Sequence, residues 1–121
     1  MKSSSVSRRL TSIDKAFIHR LIGIIDKNLD NHSLNVQKLS QEAGYSRSQL
    51  YRKVHVVTGG SIRRLILTRR LLKAESLLKE APLTVSEIAR KSGFSSPAYF
   101  SRCFKDECGV TPSEFMRQNV S

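Results

Sequence analysis

The sequence predicts an all-α fold of about seven helices, arranged as two helix-turn-helix units joined by a long linker helix. Three observations carry that expectation. Apolar residues recur at helical spacing from Phe17 to Phe115. No stretch shows the strict alternation of a half-buried strand. The third is an internal repeat: Val36, Leu39, Gly44, Tyr45 and Ser46 return 49 positions later as Val85, Ile88, Gly93, Phe94 and Ser95. After one added residue, Leu50, Arg52, Val54, Gly59, Ser61 and Leu65 return 50 positions later as Phe100, Arg102, Phe104, Gly109, Thr111 and Phe115.

Taken in order, residues 1–12 are rich in Ser and carry Lys2, Arg8 and Arg9, which reads as a flexible tail or the stub of a linker. From Ile13 to Leu29, Phe17, Leu21, Ile24 and Ile25 mark a first amphipathic helix, and the polar run Asp30 to Ser33 turns the chain. Asn35 caps a short helix, Val36 to Ala43, that Gly44 stops. Ser46 caps a second, to about Val57, stopped by Thr58-Gly59-Gly60. Ser61 opens the linker helix, to about Glu80, with Pro82 beyond it. Thr84 caps a helix to Ser92, and Gly93 stops it. Ser95 or Ser96 begins the next, with Pro97 in its first turn and Gly109 after its end. Thr111 and Pro112 open a last helix through Gln118. The expected organisation is a tail at 1–12, a first unit at 13–60, the linker helix at 61–81 and a second unit at 82–121.

Each copy of the repeat reads as helix, a turn of Gly followed by an aromatic, and a second helix. One such pattern describes many helical hairpins; two in register, each with a basic second helix, point to a pair of nucleic-acid readers. The charge agrees. Lys and Arg total 21 against 10 Asp and Glu, a formal +11, which implies a polyanionic partner. No acidic residue falls between Glu42 and Glu75, where Arg47, Arg52, Lys53, Arg63, Arg64, Arg69, Arg70 and Lys73 all lie. The alternative for such a run is a solvated face. A linker helix of roughly 20 residues spans about 30 Å, close to the ~34 Å between successive major grooves on one face of B-DNA. The alternative is a core helix with no metric role.

Helical geometry places Leu50, Val54 and Val57 inward on the first reader, with Ser48 and Arg52 opposite and Gln49 and Tyr51 on the flanks. On the second, Phe100 and Phe104 point inward, Ala98 and Arg102 outward, and Tyr99 and Ser101 flank. The expected base-reading set is Arg47, Ser48, Gln49, Arg52, Ser96, Pro97, Ala98 and Arg102. Arginine suits bidentate bonding to guanine, Gln49 suits adenine, and Ala98 offers apolar contact only. Tyr51, Lys53, Tyr99, Ser101 and Lys105 are expected on phosphates. For Arg102 a phosphate contact or an ion pair with Asp106 competes.

Cys103 and Cys108 are neither a CxxC pair nor part of a zinc set, so they read as reduced structural thiols, and no cofactor or metal is expected. The start has no apolar core of a secretory signal, and no stretch reaches transmembrane length. The expected location is the cytoplasm, on the nucleoid, with no membrane partner.

Gly93-Phe94-Ser95-Ser96-Pro97-Ala98-Tyr99-Phe100-Ser101-Arg102-Cys103-Phe104-Lys105, then Gly109-Val110-Thr111-Pro112 and Phe115, resembles the signature of the AraC/XylS family of bacterial transcription regulators. The resemblance runs from about Phe17 to Arg117 and includes Arg70-Leu71, Ala74 and Leu77-Leu78. Ile25 to Leu29 and Ser46 to Lys53 look like output domains of response regulators or hybrid two-component sensors. It implies seven helices, recognition helices in successive major-groove segments of double-stranded DNA, contact with RNA polymerase, and an N-terminal sensing or receiver domain where the chain is a fragment. Two positions depart from the pattern: Leu67 stands where the family often has a basic residue, and Ala98 where it often has Ser. Two other functions compete: nonspecific architectural nucleic-acid binding, and membership of a DNA alkyl-repair protein with a reactive Cys. No Pro-Cys-His-Arg-like context surrounds either thiol, so the chain is not expected to be an enzyme.

Overall fold

The computed structural model describes residues 10–31, 34–80 and 82–119. The tail expected at 1–12 and the turn expected at 30–33 therefore lie partly outside the described residues. Among those residues the elements are all helical.

Helix α1 (Ser12–Lys27) starts where Thr11 and Asp14 cap each other, each side-chain oxygen accepting the other's backbone N–H at 3.0 and 3.1 Å. It buries Phe17, Leu21 and Ile25, one stripe at i, i+4, i+8. It ends two residues before the sequence pattern suggests. Asn31 N–H turns back onto the Asn28 carbonyl at 3.0 Å, so Leu29 is buried from a turn rather than from the helix.

Helices α2 (Val36–Ala43) and α3 (Arg47–Thr58) follow as a tight pair. The Asn35 side chain caps α2 by accepting from Lys38 N–H at 2.9 Å, and Gly44 closes it at φ 78°. Helix α4 (Ile62–Glu80) opens with the Ser61 hydroxyl accepting from Arg64 N–H at 3.0 Å. Helices α5 (Val85–Lys91), α6 (Pro97–Cys108) and α7 (Pro112–Gln118) repeat the scheme. Thr84 and Thr111 head capping boxes completed by Glu87 and Glu114. These boundaries match the sequence expectation to within a residue because caps and stops are local chemistry.

The chain divides into two compact units. The first holds the described residues of Met1–Lys27 and Leu34–Ile66, with α1 packed on α2 and α3. Its buried residues include Leu39 and Ala43 of α2 and Leu50 and Val54 of α3. The second holds those of Asn28–Ser33 and Leu67–Ser121. Its core joins Leu71, Ala74 and Leu78 of α4 to Ile88, Ala89, Phe94, Phe100 and Phe104, and Leu67 packs partly buried against them. Full burial of a side chain such as Phe100 contributes about 1.5–3 kcal/mol. Among the described residues no helix is long and apolar enough to cross a membrane.

Candidate nucleic-acid interface

Helix α3 begins with a capping box. The Ser46 hydroxyl accepts from Gln49 N–H at 3.2 Å, and Gln49 Oε1 accepts from Ser46 N–H at 2.9 Å. The box fixes the first turn and leaves Arg47, Ser48, Tyr51 and Arg52 exposed, with Ser48 and Arg52 on the face opposite buried Leu50 and Val54. It also engages Gln49 Oε1, leaving one lone pair on that oxygen and the amide NH₂ for a base. Lys53 is only half-exposed. Its ammonium lies 5.2 Å from the Phe17 ring centroid and 5.7 Å from that of Tyr45, and those two rings meet edge to face at 5.4 Å.

Helix α6 begins with the Ser96 hydroxyl accepting from Tyr99 N–H at 3.1 Å, and Pro97 occupies the first turn, where its missing N–H costs nothing. Pro97, Ala98, Arg102 and Lys105 are exposed; Ser96 and Ser101 are half-buried. Beneath them Phe94, Phe100, Phe104 and Phe115 form a run of aromatic contacts, with successive centroids 4.9, 5.7 and 5.4 Å apart. Tyr99, 41% exposed, lies 6.0 Å from Phe94 and carries the Arg102 guanidinium over its ring at 5.8 Å. Arg102 is thus held on a ring platform.

Neither reader helix has an acidic residue in its first turn. The N-terminal pole of each helix and its exposed arginine therefore present one sign of charge, suited to phosphate oxygens and to the acceptor edge of guanine. Every residue expected to read bases lies on these two helices or at their caps, with Ser46–Thr58 and Ser96–Cys108 as the two segments.

Some basic residues of the charge run act within the protein instead. Arg70 donates from Nη2 to the Asn31 carbonyl at 3.1 Å, and burial pushes its guanidinium below the ordinary value while the Tyr99 hydroxyl opposes that shift. Outside the run, Arg20 donates from Nη1 to the Ala43 carbonyl at 2.7 Å, completing the end of α2. Sequence reasoning missed both, since charge alone does not separate an inward guanidinium from an outward one.

Cys103 and Cys108 are free thiols, and the Cys108 thiol is pushed up by burial and by Glu75 and Glu107. Among the described residues no group of three or more His, Cys, Asp or Glu is placed to hold a metal.

Comparison with known proteins agrees with this geometry. The family described as "Helix-turn-helix domain" matches residues 39–118. MarA, the multiple antibiotic resistance protein of Escherichia coli K12, is 31% identical over 115 residues, covering 95% of this chain and 88% of MarA. Histidine kinase P4 of Formosa agariphila is 33% identical over 109 residues, which cover 90% of this chain but 8% of the kinase. Among solved structures, the C-terminal domain of AraT, a response regulator of Geobacillus stearothermophilus, superposes with a TM-score of 0.81 at 27% identity, covering 94% of this chain and 91% of that one. The DNA-binding domain of AdpA, a global transcriptional factor solved with a target DNA, superposes with a TM-score of 0.77 at 25% identity, covering 84% and 90%. The match over residues 39–118 and the near-complete coverage of MarA place the chain in the AraC family of helix-turn-helix transcription regulators, as a DNA-binding domain of that family.

Proposed function

We propose that the chain reads double-stranded DNA with two unequal heads, Arg47, Ser48, Gln49 and Arg52 from α3 and Ser96, Pro97, Ala98 and Arg102 from α6. Tyr51, Lys53, Tyr99, Ser101 and Lys105 hold it on phosphates. The observation that carries this reading is the pair Arg52 and Arg102, exposed at equivalent positions of two repeated helices whose opposite faces are fully buried. AdpA, of similar fold, was solved on a target DNA. Selection of duplexes from a random pool tests the proposal. The expected result is one enriched bipartite site, bound with a log–log salt slope of about −0.9 per phosphate contacted. Equal affinity for all duplexes would point to architectural binding instead.

In the whole protein this domain is the output end of a regulator that acts at promoters through RNA polymerase, in the cytoplasm, behind an N-terminal sensing or receiver domain. AraT, a response regulator whose C-terminal domain has this fold, supports that arrangement. The domain itself catalyses nothing in this reading. A raised Cys108 thiol is a poor nucleophile for alkyl transfer, and methylated DNA should leave both thiols unmodified.

A further inference from the structure

The connection after α1 has an unexpected role within the second unit. Residues 28–31 follow α1 in the chain but group with the described residues of the second unit, and Leu29 is buried there. Its backbone lies directly on the turn of the second helix-turn-helix. A Cβ at Gly93 would overlap the Leu29 carbonyl oxygen and would stand 2.7 Å from Arg70 Nε. Arg70 closes the arrangement with its bond to the Asn31 carbonyl, so one guanidinium touches both the connection and the turn.

The bond to Asn31 uses only part of the arginine. The side chain is half-buried, but its Nε is buried with no acceptor among the described residues, and an unmet buried donor costs free energy that an apolar side chain of similar length would not. What arginine supplies instead is a planar, directional fork able to fix backbone position. The turn it fixes contains Phe94, which contacts Tyr99, and Tyr99 carries Arg102.

We propose that Arg70 is a positioning residue of the second reader: from α4 it clasps the Asn28–Asn31 connection onto the Ser92–Phe94 turn and so sets the pose of the Tyr99 ring beneath Arg102. It acts on base reading without touching DNA. The proposal rests on the DNA-reading function above.

The probe for testing it is the duplex that the wild-type chain selects from a random pool. Arg52→Ala and Arg102→Ala first map which base pairs belong to which reader. Arg70→Met is then expected to melt at or above the wild-type temperature and to lose about tenfold in preference at the base pairs mapped by Arg102, with those mapped by Arg52 unchanged. Arg70→Lys, which can still donate to the Asn31 carbonyl, should recover part of that preference. Unchanged preference in Arg70→Met overturns the proposal, and so does a loss spread evenly over both sets. If Arg70→Met does not fold, Arg70→Lys decides. Folded protein with reduced preference confined to the Arg102 set supports the clasp, and wild-type preference rejects it. A wild-type chain that selects no sequence defeats the DNA-reading function itself, a separate result.

Discussion

The two turns that define the readers have the same sequence pattern and differ in how closely they are covered. In the first, Gly44 has open space where a Cβ would stand, and polar bonds secure the turn: Arg20 grips the Ala43 carbonyl, and the Ser40 hydroxyl donates to the Tyr45 carbonyl. In the second, Gly93 is buried beneath the Leu29 backbone, and packing, with Phe94 only 3% exposed, adds to the Arg70 bond on the Asn31 carbonyl. Tyr45, by contrast, is half-exposed and meets one ring, that of Phe17. The first glycine is required for its backbone conformation alone; the second is required for conformation and for space.

The sharpest way to break this comparison is to add a methyl group to each turn. Gly93→Ala should cost about 3–5 kcal/mol, the sum of left-handed strain and a backbone overlap, whereas Gly44→Ala should cost about 1–2 kcal/mol from strain alone. Urea denaturation followed by circular dichroism measures both, and equal costs would erase the distinction.

Next in size are the reading arginines. Arg52→Ala and Arg102→Ala should each lose about 1–3 kcal/mol on the selected duplex, each relaxing its own base pairs. Tyr99→Ala should reproduce part of the Arg102 loss, because it removes the platform; Tyr51→Ala should weaken all duplexes alike and leave the salt slope unchanged, since a neutral hydroxyl displaces no counterion. Titration by fluorescence anisotropy on the selected duplex and on random duplexes, at several salt concentrations, separates the two behaviours.

A smaller effect distinguishes the lysines. Lys105→Gln should reduce the salt slope by about 0.9, while Lys53→Gln should lower stability by about 0.5–1 kcal/mol through loss of its ring contacts and change the slope less.

The smallest effect is that of acid. The Thr84 backbone N–H, then its hydroxyl, holds the Glu87 carboxyl below the ordinary carboxylate value, and Thr111 does the same for Glu114. Depressed carboxyls stabilise the fold above the unfolded pKa of about 4.3, and that contribution disappears as pH falls through their folded values. The box on α3 has Gln49 in the same role and nothing to titrate. Between about pH 5 and pH 3, amide exchange at the starts of α5 and α7 should quicken relative to that at the start of α3.

What the sequence made legible follows the range of the interactions concerned. Caps and stops at Asn35, Ser46, Thr84, Thr111, Gly44 and Gly93 act within four residues, and each appears where expected. The inward and outward faces of α3 and α6 follow from helical period and a repeat that cross-checks itself. The inward-acting role of Arg70 and the ring contacts of Lys53 were not legible, because both depend on partners brought near by packing: Asn31 is 39 positions from Arg70, and Phe17 is 36 from Lys53. The grouping of residues 28–31 with the second unit was hidden for the same reason, since a polar turn carries no record of what it packs against.

The Gln49 cap has a further consequence. Three helices, α1, α5 and α7, start with a carboxylate, Asp14, Glu87 or Glu114, which complements the helix dipole. A carboxylate at the start of α3 would serve the helix equally well and repel the polyanion proposed to approach it. Glutamine meets the geometric requirement of the box while leaving that pole electrically open, and α6 dispenses with a reciprocal partner by placing Tyr99 there. The third residues of α3 and α6 thus leave the poles proposed to meet nucleic acid without a negative charge, as Lys38 and Arg64 do at the starts of α2 and α4.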